Sequence, residues 1–252
     1  MRKALLIIDR GSKEKEVRLE LHQISKIVKE KGNYHYTNYC FLEVVPPFIE
    51  EGISGCIGQN VDFITVMPYF LYPGMKLKES VKQSAIICKR LGLKLVITKP
   101  LSYSDRLSSL IVNRIEKLKR DKKISYNNPD CDVLVIGHGS SDKRAREAFL
   151  FTVDKIKKIY RSVTFCFLEL DLPNIEQALS SLIKTNPKVI LVMPYFLHKG
   201  IHIKSDVKKE IKEVLKKYPF FEVHISDHIG VDENMIDIVL ERAKESEDRR
   251  IV

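Results

Sequence analysis

The sequence predicts an α/β protein made of two similar parallel-sheet domains, with helices on both faces of each sheet and a cleft between the domains. Three observations predict it. The 252-residue chain repeats itself: Val66–Leu71 and Val192–Leu197 both read VMPYFL, and Cys40–Glu43 and Cys166–Glu169 both read CFLE, each pair 126 positions apart. Apolar runs of strand length occur throughout both halves, nearly uninterrupted, as strands buried on both faces of a parallel sheet require. Amphipathic stretches of helical length alternate with those runs.

In the first half the predicted strands are Lys3–Asp9, His35–Leu42, Asp62–Met67 and Lys94–Thr98. The helices between and after them are Lys13–Lys31, Pro47–Ile57, Lys76–Arg90 and Asp105–Arg120. In the second half the strands are Asp132–Gly137, Val163–Leu168, Lys188–Met193 and Glu222–Ser226. Their helices are Asp142–Tyr160, Pro173–Lys184, Ile203–Lys217 and Asp232–Glu247. Pro47 and Pro173 fit the first turn of a helix, where a missing N–H costs nothing. Asp105 and Asp232 suit N-terminal caps. The polar run 121–131, with Asn127-Asn128-Pro129-Asp130 as a turn, reads as a linker. The expected domains are therefore 1–120 and 132–252, and the charged tail Lys244–Arg250 is expected to fray.

The net charge of +10, from 43 basic against 33 acidic residues, suits an acidic partner or a solubilising surface. No RNP, zinc-finger or arginine-rich motif supports nucleic acid. No apolar run reaches the length of a membrane span, and the apolar segment after Met1-Arg2-Lys3 is too short for a signal peptide. The five cysteines form no C-x-x-C pair, which fits a reducing compartment. A cytoplasmic protein is expected, without membrane or nucleic-acid partner. A monomer is expected, because fusing two halves removes the need for a homodimer.

Ligands of open parallel sheets bind beyond the carboxyl ends of the strands, where strand order reverses. In the second half His138 follows the first strand, Glu169 closes the second, and His202 follows the third after a loop containing Gly200. Three groups able to bind a metal or a proton thus fall at one sheet edge. Gly137-His138-Gly139-Ser140 lets backbone and ligand approach closely. It is not a G-x-S-x-G nucleophile elbow and has no P-loop lysine. Glu169 reads equally as a site carboxylate or as an N-capping acid for the helix near Pro173. Asp206, four residues after His202, is placed to orient its imidazole. His198 reads as loop or rim.

The two halves differ at a small set of positions. Arg10 stands opposite His138, Lys76 opposite His202 and Ser80 opposite Asp206, while Glu43 matches Glu169. Polar positions that change together, beside an unchanged CFLE and VMPYFL, are expected of one functional unit.

A strand leading to His138-Gly139-Ser140 comes first, then Phe167-Leu168-Glu169 with Pro173. Pro194-Tyr195-Phe196-Leu197-His198-Lys199-Gly200-Ile201-His202 follows, with Asp206 beyond it. These motifs resemble the class II chelatases of the CbiX/SirB type, as two fused copies spanning almost the whole chain. That family inserts Co²⁺ or Fe²⁺ into sirohydrochlorin for cobalamin or sirohaem synthesis, and a short archaeal branch serves nickel tetrapyrroles. The resemblance implies His138 and His202 as the metal-handling and catalytic pair, with Glu169 as their acidic companion. It implies no tightly bound cofactor, since the divalent metal is a substrate; cobalt is the first choice. Gly139, Ser140, Tyr195, Phe196, Leu197 and Gly200 would line the tetrapyrrole pocket. Long members tend to keep their histidines in the N-terminal half, whereas here Arg10 and Lys76 stand there, so one site on the second half is expected. Arg10 and Lys76, beside Glu43, are then expected to meet the carboxylates of the tetrapyrrole. A non-catalytic tetrapyrrole or metal carrier on the same fold is the alternative.

Overall fold

The computed structural model describes residues 2–200 and 206–249. The first sheet contains β1 (Lys3–Asp9), β2 (Tyr36–Phe41), β3 (Phe63–Pro68) and β4 (Leu95–Ile97), all parallel, in the order β2-β1-β3-β4. Its helices are α1 (Lys15–Gly32), α2 (Ile49–Ile57) and α3 (Met75–Arg90). α4 (Asp105–Lys122) follows β4, and a short 3₁₀ turn at Asn128–Asp130 precedes the second repeat. The second sheet has the same topology, β6-β5-β7-β8, from β5 (Asp132–Gly137), β6 (Ser162–Phe167), β7 (Ile190–Pro194) and β8 (Val223–Ile225). Its helices are α5 (Lys143–Ile156), α6 (Ile175–Ile183), α7 (Lys208–Lys217) and finally α8 (Glu233–Asp248).

The predicted fold class holds, because the apolar runs are what the sheets bury. Every residue of β3, β5 and β7 is buried. In the first unit Leu6, Ile8, Ile64 and Val66 pack with Ile53 and Cys56 of α2. In the second Leu134, Ile136, Ile190 and Val192 pack with Leu179 of α6 and Ile211 of α7. Strand order reverses between β1 and β3, and between β5 and β7, so the loops after those strands flank each switch point.

The compact units cut the chain differently from the repeats read in the sequence. One unit is Met1–Ser102 with Val231–Val252, and the other is Tyr103–Gly230. The reason is an exchange of terminal helices. α4 packs against α5 and β7, whereas α8 packs against α1, β3 and β4. Each presents an apolar face, Leu107, Leu110 and Ile111 on α4 and Met235, Ile236 and Val239 on α8. The charged end of α8 does not fray at Glu247, which is 8% exposed. Its carboxylate accepts from Lys3 Nζ at 2.8 Å, Tyr34 Oη at 2.7 Å and Thr65 Oγ1 at 2.8 Å. A single acid thereby fastens α8 to the first sheet.

Two further expectations change at helix starts. Pro47 and Pro173 lie before their helices, each after a cis peptide bond. Their carbonyls accept from Phe41 N at 2.8 Å and Phe167 N at 2.9 Å, so they belong to the sheet edge. Asp232 caps α8 through Asn234 N at 2.9 Å, but Asp105 is the first helical residue of α4 and Ser104 occupies the cap.

Candidate functional site

The site grows out of the ladder between β5 and β6. That ladder continues past the strands: Leu168 N donates to Gly137 O at 3.0 Å, and Glu169 N to His138 O at 2.9 Å. His138 and Glu169 are thereby fixed as cross-strand neighbours, the first half-buried and the second exposed. The turn that follows requires glycine. Gly139 has φ +91°, and a Cβ there would lie 1.7 Å from the carbonyl oxygen of Glu169. The close approach thus joins two strands of the site. Ser140 Oγ accepts from Asp142 N at 3.1 Å, and Asp142 caps α5 through Arg144 N at 3.0 Å. Ser140 is therefore part of the turn into that helix.

The capping role considered for Glu169 is filled by another residue. Asn174 caps α6: its side chain accepts from Gln177 N at 2.9 Å, while Gln177 Oε1 accepts from Asn174 N at 3.1 Å. Glu169 stands five positions earlier and is left to the strand end.

The third strand brings its loop to the same edge. Tyr195 N donates to Ile136 O at 2.8 Å. Tyr195 itself is 1% exposed and packs on Phe149, with ring centroids 5.5 Å apart. This corrects the expected pocket wall: Tyr195 supports the wall from behind, and burial pushes its hydroxyl pKa up. Phe196 is the aromatic that meets the site, edge-on to the His138 ring at 6.3 Å. Phe196 O and Leu197 O accept from Ile229 N and Gly230 N, both at 3.0 Å, which straps the loop to the segment after β8. At Gly200 an added Cβ would meet no described atom within 4 Å. His202 lies outside the described residues.

Asp206 is half-buried at the entry to α7. It lines a groove of about 550 Å³ with Asn174 and Glu176 of the α6 start and Lys209, Glu210 and Lys217 of α7. Burial, and then the charge of Asp206, raise the Glu210 carboxyl pKa. His138 and Glu169 do not line that groove. Among the described residues, no three His, Cys, Asp or Glu side chains are grouped to hold a metal.

The first half shows what the equivalent positions do when all are in view. Leu42 N donates to Asp9 O at 2.8 Å and Glu43 N to Arg10 O at 3.0 Å, repeating the ladder extension. Gly11 has φ +104° and a Cβ there would lie 2.1 Å from Glu43 O. Arg10 Nε donates to Glu43 Oε1 at 2.8 Å, and Lys76 Nζ donates to Glu43 Oε2 at 2.6 Å. The hydrogen bonds from Lys76 and then Arg10 hold the Glu43 carboxyl below the usual range, and Glu43 in turn raises the Lys76 ammonium. Two cations far apart in sequence converge on one carboxylate. Ser80 is buried and donates to Leu77 O at 2.8 Å, within its own helix.

One neighbour of the strand-end loop does not emerge from the 126-residue repeat. Arg146 Nη1 lies 2.5 Å from Asp171 Oδ1 and donates to Leu172 O at 2.9 Å, with its guanidinium 5.0 Å from the Phe167 ring centroid. Arg18 does the same in the first half, donating to Pro46 O at 2.7 Å above Phe41. The repeat offset is 128 there rather than 126, so the 126-residue ruler pairs Arg18 with Arg144 instead.

The CbiX family model matches residues 4–118 and again residues 132–246. The chain belongs to the CbiX family. Among its relatives is a protein named "Sirohydrochlorin ferrochelatase" in Priestia megaterium, 24% identical over 245 residues, covering 96% of this chain and 89% of the relative. A "Sirohydrochlorin cobaltochelatase" of the same organism is 23% identical over 248 residues, covering 96% of this chain and 79% of the relative. A solved structure, "SirB from Bacillus subtilis with Fe3+", superposes with a TM-score of 0.85 at 23% identity, covering 98% of this chain and 96% of that one. This likeness shows that the CbiX chain has the same fold.

Proposed function

We propose that this protein is a sirohydrochlorin chelatase, inserting a divalent first-row metal into the macrocycle in tetrapyrrole biosynthesis, with its single site on the second repeat. The observation that carries the proposal is the convergence in the first half, where Arg10 and Lys76 both reach Glu43. The matching positions of the second half are His138, His202 and Glu169. Relatives of the CbiX family named for sirohydrochlorin support the substrate.

The chemistry follows from the residue types. Neutral imidazoles at His138 and His202 serve as donors to the incoming metal, and the Glu169 carboxylate compensates its charge. Insertion releases two pyrrole N–H protons, which the same imidazoles and carboxylate accept. Asp206 orients His202 as a hydrogen-bond acceptor. Arginine and lysine have no lone pair to offer a metal at neutral pH, so the first half cannot repeat the step. Imidazole donors suit Co²⁺, Fe²⁺ and Ni²⁺ alike, and cobalt is the metal we propose first. In the first half, Arg10 and Lys76 share Glu43, and Lys76 also reaches Glu79 at 3.4 Å, so a substrate carboxylate would meet these cations by competing with their own carboxylates.

The test is visible absorbance of sirohydrochlorin with Co²⁺, Fe²⁺ or Ni²⁺, under multiple turnover, for wild type, His138→Ala and His202→Ala. The wild type should release many metallated products per chain and each variant should be slowed at least tenfold. Equal rates for wild type and His202→Ala would refute the site, and a single stoichiometric binding event would show a carrier.

A further inference from the structure

We infer that Leu170 and Leu172 form a rigid apolar shelf against which the macrocycle of the substrate lies. The inference rests on the chelatase reading above and names the surface that holds its apolar body. Leu170 directly follows Glu169, and it is 75% exposed, while Leu172 is 62% exposed. Leu170 also has φ +60°, a left-handed conformation that a leucine adopts at a cost and that asparagine or glycine adopts cheaply. If the turn alone mattered, a small polar residue would make it without strain. An exposed leucine in a strained backbone gains the folded chain nothing, and backbone strain of this kind gathers at ligand sites.

The first half keeps the device. Val44 occupies the matching position after Glu43, has φ +75°, and is 48% exposed. A β-branched residue is the least suited of all to that region. The apolar tip is therefore present also in the half that carries Arg10 and Lys76 opposite His138 and His202, so it does not serve metal ligation. The loop is also held still. Arg146 grips Asp171 and the carbonyl of Leu172, and Asp171 Oδ1 accepts from Leu172 N at 2.8 Å. A preorganised apolar ledge beside a carboxylate suits a flat, carboxylate-fringed ring whose centre receives a metal: the ledge takes the ring and the polar groups take its centre.

The test uses Leu170→Asn, which removes the apolar surface and relieves the backbone, so folding is preserved and the melting temperature should hold or rise. Leu19→Gln on α1 is the control, since Leu19 is 67% exposed and lies far along the chain from the loop that carries Leu170 and Leu172. Sirohydrochlorin without metal is titrated by its absorbance, and turnover is measured separately. Leu170→Asn should raise the Kd and the KM by on the order of tenfold, with kcat within twofold, as loss of a leucine contact present in both ground and transition states requires. Leu19→Gln should change neither. An unchanged Kd in Leu170→Asn overturns the shelf even if the wild type metallates its substrate. A wild type that binds sirohydrochlorin without metallating it overturns the chelatase reading, and the shelf is then decided on Kd alone. A wild type that binds no sirohydrochlorin overturns both.

Discussion

Alanine at Gly139 tests whether the His138–Glu169 pairing is the working part of the protein. The added Cβ would lie 1.7 Å from Glu169 O, so one backbone must retreat by about 1.7 Å to reach ordinary contact. The left-handed backbone, φ +91°, costs alanine about 1–2 kcal/mol in addition. The retreat disrupts two ladder hydrogen bonds, Leu168 N to Gly137 O and Glu169 N to His138 O, worth about 0.5–1.5 kcal/mol each. The total destabilisation is about 2–5 kcal/mol, read by urea unfolding. Displacing a reacting group by about 1 Å costs on the order of 10²-fold in rate, so kcat for metallation should fall by that factor. Gly11→Ala is the internal control. Its Cβ would lie 2.1 Å from Glu43 O at φ +104°, so it should lose comparable stability. Its kcat, however, should stay within a few-fold of wild type, with any loss falling on KM. Equal kcat losses in the two variants, measured where both are folded, would refute the assignment of chemistry to the second half.

Glu247→Ala strands the hydroxyls of Tyr34 and Thr65 and the Lys3 ammonium, and should destabilise the first unit by about 3 kcal/mol in chemical unfolding. A loss below about 1 kcal/mol would show that α8 is held by its apolar face alone. The Glu43 carboxyl is lowered in the folded state by Lys76 and Arg10, so its contribution to stability is present above the ordinary glutamate range and is lost as pH falls through the lowered folded value. An NMR titration should find it below the ordinary value in wild type and returned towards it in Lys76→Ala, with the difference shrinking in 1 M salt because the pair is exposed. Arg10→Ala with Lys76→Ala should raise KM for sirohydrochlorin and leave kcat nearly unchanged; an unaltered KM removes the substrate role of these cations.

Eight strands and their parallel arrangement were legible because buried strands must be apolar along their length. Periodicity was less informative at the edges of elements. α6 begins at Ile175 rather than Pro173, since an Asn174–Gln177 capping box fixes its start and the proline carbonyl is taken by Phe167 N. The exchange of α4 and α8 was not legible, because both helices carry the same apolar face and nothing in either face says which sheet receives it. The anchor that decides it, Glu247, looks in sequence like one more charge in a charged tail. At the candidate site, comparison of the repeats picked out Arg10, Glu43 and Lys76, which the structure brings together, while several neighbouring expectations changed. Glu169 is not a cap, Ser140 builds a turn, and Tyr195 is core. Arg146 and the leucines beside it were hidden by a two-residue shift in repeat offset and by the ordinary look of leucine in a sequence.

The exchange of helices also explains why a half with Arg10 and Lys76 opposite His138 and His202 persists. If the site lived on a self-sufficient second repeat, the first would be free to decay or disappear. The second sheet instead buries Leu107, Leu110 and Ile111 of α4, which the first repeat encodes, and the first sheet receives α8 from the second. A chain cut at residues 121–131 would leave β3 and β4 without α8 and α5 and β7 without α4, exposing apolar surface on both products. Arg114 of α4 adds to this dependence, donating to the carbonyls of His228 and Ile229 at 3.0 Å, on the segment that straps Phe196 and Leu197 beside His138. Loss of the first repeat would therefore loosen the loop that places Phe196 against His138. The two repeats are thus bound to each other's fold whatever residues stand at positions 10 and 76.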